Sequence, residues 1–223
     1  MRRLIVPLGF GIAGIAVLVA LGLWQLQRLE WKQGLLQEIG ARLAARPVAL
    51  PAAPDPERDR YLAVRVSGRF TGDELRVLTS LREAGPGFRH VAAFVTDDGR
   101  RVMVDRGFAP ERAEVVPPRG AAAVTGNLVW PDEVDSFTPE PDIDSGLFFA
   151  RDVAAMAEYL GSEPVLIVAR RIEPPDPVVR PLPVGTEGIP NNHLQYAITW
   201  FLLALAWAGM TALWLWRIRR REG

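Results

Sequence analysis

Leu4 to Leu23 reads LIVPLGFGIAGIAVLVALGL, twenty residues without a charge, and Tyr196 to Trp216 reads YAITWFLLALAWAGMTALWLW, twenty-one more. At 1.5 Å of rise per residue, either run makes a helix of roughly 30 Å, the thickness of the bilayer hydrocarbon. Two apolar helices therefore bracket a central segment of mixed composition. The first run has a second reading as a cleaved signal peptide, because Arg2 and Arg3 precede it and Ala20-Leu21-Gly22 resembles a cleavage site. Apolar cores of signal peptides usually span about 7–15 residues, so the length favours an uncleaved anchor.

Arginine placement sets the expected orientation. Arg2 and Arg3 precede span one, and Arg217, Arg219, Arg220 and Arg221 follow span two. On the loop side only Arg28 and Lys32 lie near a span. Positive-inside statistics put both termini in the cytoplasm and the central segment on the other side. Met1 leads almost directly into the span, which leaves no room for an amphipathic transit peptide. The expected location is a bacterial inner membrane, with a periplasmic central domain.

Composition removes several classes of function. The 26 basic and 26 acidic residues give no net field toward nucleic acid. With no cysteine there is no disulfide, thiolate metal site, cysteine nucleophile or thioether haem attachment. Two histidines make a closed zinc site improbable. The chain contains no G-x-S-x-G elbow, H-E-x-x-H or P-loop, so hydrolase chemistry has no positive support and an enzyme is not expected.

Between the spans the period changes. Leu29, Leu35, Leu36, Ile39 and Leu43 continue span one outward as a helix, which Pro47, Pro51, Pro54 and Pro56 end. Tyr61–Phe70 alternates apolar and polar residues as a half-buried strand does, and Leu75–Leu81, His90–Thr96 and Arg101–Phe108 follow in like character. Asp97-Asp98-Gly99 is a hairpin signal between the last two. Val124–Trp130 and Val165–Ile172 are further strands, separated by an acidic, proline-rich loop and a short helix near Arg151–Leu160.

The expected fold is an α+β membrane protein in which two transmembrane helices flank an antiparallel β-sheet or small barrel with peripheral helices. Its expected divisions are span one at 1–23, a helical extension at 24–46, the β-rich domain at 47–173, a proline-rich spacer at 174–190, span two at 191–216 and a tail at 217–223. The small residues Gly9 with Ala13 and Ala16 with Ala20, four apart, are expected to pack span one against span two.

Chemistry concentrates at the mouth of span two. His193, Trp200, Trp207 and Trp214 are seven apart, and seven residues advance a helix by about 700°, so they form one stripe with Tyr196 beside it. Two readings stand together. In one, His193 lies among headgroups and the tryptophans are lipid-facing or helix-packing bulk. In the other, His193 ligates a haem iron, with Tyr196 and Trp200 walling the macrocycle. His90, at a strand start, reads as structural or surface.

Gly22-Leu23-Trp24-Gln25-Leu26-Gln27-Arg28-Leu29-Glu30-Trp31-Lys32 and Asn191-Asn192-His193-Leu194-Gln195-Tyr196-Ala197-Ile198-Thr199-Trp200-Phe201 resemble the two signatures of the Surfeit locus protein 1 family of cytochrome c oxidase assembly factors. Gly68-Arg69-Phe70 and Val104-Asp105-Arg106-Gly107-Phe108-Ala109-Pro110 are similar to its internal elements, with Phe108 where tryptophan is usual. Leu147-Phe148-Phe149 likewise stands where an aromatic group containing tryptophan is expected. The resemblance implies a factor that binds haem a, receives it from haem a synthase and aids its insertion into the catalytic subunit of a haem-copper oxidase. It implies His193 as ligand to the haem iron. Trp24, Arg28 and Trp31 would then face Tyr196 and Trp200 across an interfacial slot, with Arg28 on a haem propionate or a lipid phosphate. The alternative is a cofactor-free scaffold that holds the nascent subunit through the periplasmic domain.

Overall fold

Uninterrupted apolar sequence forms helix α1 (Arg2–Ala44), which runs through the first span and its extension without a break. The structure, a computed structural model, describes residues 2–186 and 189–222, with side chains over 5–186 and 189–220. The side chains of Arg2, Arg3 and Arg221, on which part of the expected orientation rests, lie outside the described residues, as do residues 1, 187, 188 and 223. Within the extension, Leu29, Leu36 and Ile39 are half-buried and Leu43 is buried, an alternation of three and four that marks one helix face.

The last helix, α3 (His193–Glu222), holds the second span. The most apolar windows of the two helices have mean hydropathies of 2.4 and 1.7, and only 17% and 6% of their residues are buried. Both helices are long and apolar enough to cross a membrane. Side chains such as Val6, Phe10 and Leu205 stand open on the outside, unlike those of a helix in a soluble core.

Chain contacts divide the protein into two units, 1–38 with 186–223, and 39–185. The second contains β1 (Ala63–Leu81), β2 (Gly85–Thr96), β3 (Arg101–Pro110), β4 (Arg119–Leu128), β5 (Leu147–Phe148), α2 (Val153–Leu160) and β6 (Leu166–Glu173). The strands lie in one sheet in the order β2-β3-β6-β4-β1-β5, and β1 also pairs with β2. The expected purely antiparallel arrangement is corrected: β3–β6 and β1–β5 are parallel ladders, so the sheet is mixed. β6 enters parallel to β3 because the chain first passes through β4, a long loop and α2, an excursion long enough for a parallel return.

β1 merges two expected strands. Thr71-Gly72-Asp73 has the composition of a turn, yet the strand continues through it, with a register shift between Phe70 and Glu74 and Gly72 at φ +93°. The shift changes which side chains face which way. Val64, Phe70, Phe94, Val104 and Ile167 close one core, whereas Leu75, Val91, Met103 and Leu166 pack on the other face under Val153, Met156 and Leu160 of α2. Asp152 caps α2 by accepting from the amides of Ala154 and Ala155 at 2.9 and 3.1 Å, and Gly161 at φ +58° ends it.

Candidate functional site

The first unit is held by close approach. An added Cβ on Gly22 would lie 2.7 Å from the Phe201 ring, one on Gly14 would meet the Trp207 indole, and one on Gly11 would meet Thr211. As α3 numbers rise their α1 partners fall, so the two helices run antiparallel. On α3 the buried seam residues Ala197 and Ala204 are seven apart, the spacing of a side-by-side helix pair. The expected small-residue pairs do not make this contact: Gly9 has nothing near it, and Ala13, Ala16 and Ala20 are exposed. Glycine at 11, 14 and 22 is what admits Thr211, Trp207 and Phe201.

This seam orients His193. Asn192 begins α3, its backbone carbonyl accepting from the Tyr196 amide at 3.1 Å, and the next side chain turns toward α1. There His193 Nδ1 lies 2.8 Å from Gln25 Oε1. An amide oxygen only accepts, so Nδ1 carries the proton and donates, which leaves the Nε2 lone pair available. Nε2 has no partner among the described residues. Two residues earlier in the chain, Asn191 Oδ1 is buried and also without a hydrogen-bond partner among the described residues.

The stripe extends inward from that point. Trp200 and Trp207 are half-buried, and Trp207 meets Phe10 at 5.4 Å between ring centres. At least to Trp207 the stripe is helix-packing; Trp214, farther in, is exposed. Tyr196 stands 56% exposed on the flank of His193.

On α1, Trp24, Arg28 and Trp31 are four and three residues apart and share one exposed face, with the Arg28 guanidinium 4.5 Å over the Trp31 ring. No described contact joins these three to His193, Tyr196 or Trp200. The residue that does reach across is Gln25, one position and about 100° around the helix from Trp24. Sequence reading quoted Gln25 in its motif but gave the role to its neighbours. The helical period, taken from the buried glycines, was the signal that identifies it: Gln25 is three after Gly22 and eleven after Gly14.

The donor set at this mouth fits a haem iron: one imidazole nitrogen, its tautomer fixed through the other ring nitrogen, beside aromatic side chains that are open on the outside. A depression of about 420 Å³ borders it, lined by Asn191, Asn192, Leu194, Gln195, Ile198 and Thr199. Helical geometry puts Leu194, Gln195, Ile198 and Thr199 on the side of α3 turned away from His193.

The second unit has a different polar centre. Arg106 is 1% exposed and bonds both Glu74 and Asp176. Glu74 also accepts from His90 Nδ1 at 2.9 Å; His90 is 2% exposed, and its Nε2 has no partner among the described residues. Asp105 pairs with Arg89 at 2.6 Å and accepts from the Gly107 amide at 3.0 Å. Arg151 approaches Asp105 at 3.8 Å and bonds Glu133. Burial would raise the Glu133 carboxyl, but the hydrogen bonds and charge of Arg151 outweigh it and hold the group below its ordinary range.

Here the proline-rich spacer departs from expectation. Phe108 and Arg180 exchange backbone hydrogen bonds of 2.8 and 2.9 Å, so this part of the spacer is docked on β3. Gly107, at φ +119°, permits it, because an added Cβ would strike the Arg180 carbonyl. Asp105-Arg106-Gly107-Phe108 is therefore a fastening for the returning chain.

A family model described as the SURF1 family matches residues 12–205 of the chain. The chain is 32% identical to Surfeit locus protein 1 of Xenopus tropicalis, with 87% of this chain and 70% of that protein covered. It is 32% identical to Surfeit locus protein 1 of Homo sapiens, covering 83% and 70%. With the SURF1-like protein of Drosophila melanogaster the identity is 30%, over 99% of this chain and 80% of the relative.

Proposed function

The chain belongs to the SURF1 family, and we propose that it is a membrane-anchored assembly factor that holds haem a through His193 and aids its insertion into the catalytic subunit of a haem-copper cytochrome c oxidase. The observation that carries this reading is the 2.8 Å contact of His193 Nδ1 with Gln25 Oε1, which leaves Nε2 free as an iron ligand. Haem would supply an iron for that nitrogen to ligate. Gln25 fixes the tautomer and the ring plane. Tyr196 and Trp200 on α3, and Trp24 and Trp31 on α1, offer apolar and aromatic surface to a flat ligand. Arg28 has the charge and reach for a propionate. A single imidazole at an open helix end suits release to a recipient better than permanent retention.

The proposed setting is a bacterial inner membrane, both termini cytoplasmic and the sheet domain periplasmic, with the lipid bilayer covering the exposed apolar faces of α1 and α3. Haem a synthase is the proposed donor and the oxidase catalytic subunit the recipient. The role is one of handling and assembly, without a catalytic residue of its own.

Co-expression with haem a synthase, purification in mild detergent and a visible spectrum test the reading. Wild type is expected to carry haem a and His193→Ala to carry little. Equal load and identical spectra in the two proteins would remove His193 as the ligand. If His193→Ala also supported a fully haem-loaded oxidase, the cofactor-free scaffold would stand in its place.

A further inference from the structure

The long loop between β4 and α2 is the most one-sided surface of the sheet domain. From Gly120 to Ala150 there are six acids, Asp132, Glu133, Asp135, Glu140, Asp142 and Asp144, and no lysine or arginine. Only Glu133 is ion-paired among the described residues, with Arg151. Asp135 accepts from the Phe137 amide at 2.8 Å and Asp142 from the Ser145 hydroxyl at 2.7 Å. These bonds hold both carboxyls below their ordinary range, so the loop stays charged near neutral pH.

Within this acidic loop, apolar side chains face water together. Phe137 is 90% exposed, Val134 51% and Ile143 53%. Val134 also lines a mainly apolar cleft of about 160 Å³, together with Pro139, Pro141, Phe149, Ala155 and the acidic Glu140. Single exposed apolar residues need no account, but three in one loop that also lines an apolar cleft mark a contact surface. The hydrogen bonds at Asp135 and Asp142 fix the backbone on which Phe137 and Ile143 are displayed, so little ordering is left for a partner to impose.

We infer that this loop docks a basic segment of a partner protein, placing one aliphatic side chain in the cleft against Val134 and flanking arginines or lysines on Glu140, Asp142 and Asp144. Charge decides among occupants. Anionic headgroups would be repelled by the unpaired carboxylates, which argues against a membrane surface. A cationic segment gains both pairing and faster encounter. The inference does not depend on haem.

Phe137→benzoylphenylalanine in the full-length protein, irradiated in cells, identifies the occupant. The expected adduct is with a different protein, through a peptide carrying an apolar residue between arginines or lysines. A synthetic copy of that peptide should bind the purified protein, and Phe137→Ser or the pair Glu140→Lys with Asp144→Lys should weaken it by about tenfold or more. Binding should also fall between about 50 and 500 mM salt, and His193→Ala should leave it unchanged. All the altered side chains point into solvent, and an unchanged thermal melt verifies folding. An adduct with lipid or with a second copy, no protein adduct, an acidic or wholly apolar peptide, or equal binding by the variants would each overturn the inference.

Discussion

The helical pair and the sheet domain use polar residues in opposite ways. In the helical pair, cohesion comes from glycine and alanine at the seam, and the His193–Gln25 contact stands at its mouth with Nε2 unused. In the sheet domain, charges are drawn into the interior: Asp105, Arg106 and His90 are nearly inaccessible and all have partners. Two histidines in one chain thus have different meanings. Both are held by Nδ1 and leave Nε2 without a partner among the described residues, but His90 is 2% exposed inside a charged network, whereas His193 stands half-buried at an open helix end. A polar residue here signals function when its neighbours fix it without satisfying it and leave it open to a ligand.

The largest expected effect breaks the sheet side of this contrast. Arg106→Met leaves Glu74 and Asp176 without their shared cation, and removing one partner of a buried pair destabilises by about 3–5 kcal/mol. Chemical unfolding of the full-length protein, followed through its sheet signal, measures this. Loss below about 1 kcal/mol would mean that the network is not structural.

On the helical side, Gly14→Val drives a branched side chain into Trp207, while Gly9→Val meets nothing. The first is expected to lower stability in detergent by about 1–3 kcal/mol, as overpacking does. The second should have no measurable effect on the thermal midpoint. Equal effects would mean that the seam runs elsewhere.

Gln25 sharpens the claim about fixed but unsatisfied groups. Gln25→Leu keeps the bulk and removes the acceptor, and loss of such an orienting partner typically costs about 10- to 100-fold in affinity for the metal. Haem a titration of the purified protein should show that loss, with Gln25→Glu retaining binding because a carboxylate also accepts from Nδ1. Indifference of affinity to both changes would reduce Gln25 to packing.

The smallest effect is with acid. Burial pushes the Asp176 carboxyl up, but the amides of Val179 and Val178 and the Arg106 charge outweigh it and hold the group below its ordinary value. A depressed carboxyl contributes stability that is complete above its unfolded value of about 4 and is lost as pH falls through the lower folded value. Protection of the Phe108 and Arg180 amides against exchange, relative to the unfolded chain at the same pH, should fall on acidification below about pH 4. Asp176→Asn should exchange quickly at neutral pH as well.

Much of this was legible in the sequence, for reasons that also explain the failures. Continuous apolar runs and hairpin signals are local, so the two long helices, Asp97-Asp98-Gly99 and α2 could be read directly. The bulge at Thr71-Gly72-Asp73 has the composition of a turn, and only pairing with β2 on both sides of it keeps β1 extended. Parallel pairing of β3 with β6 joins residues some sixty positions apart and has no local signature. The prolines after Glu173 read as a free spacer because their fastening, Arg106 and the Phe108 backbone, belongs to a distant strand. At the candidate site His193 stood out in its motif, but its contact with Gln25 needed the helix seam.

The most direct test is the protonation state of His193. In the full-length protein in lipid nanodiscs, ¹⁵N NMR has only two histidines to resolve, and His193→Gln assigns them. The account predicts a protonated Nδ1 in a hydrogen bond that disappears in Gln25→Leu, an unprotonated Nε2, and loss of the Nε2 signal when haem a is added. A protonated Nε2 that haem a leaves unchanged would contradict it.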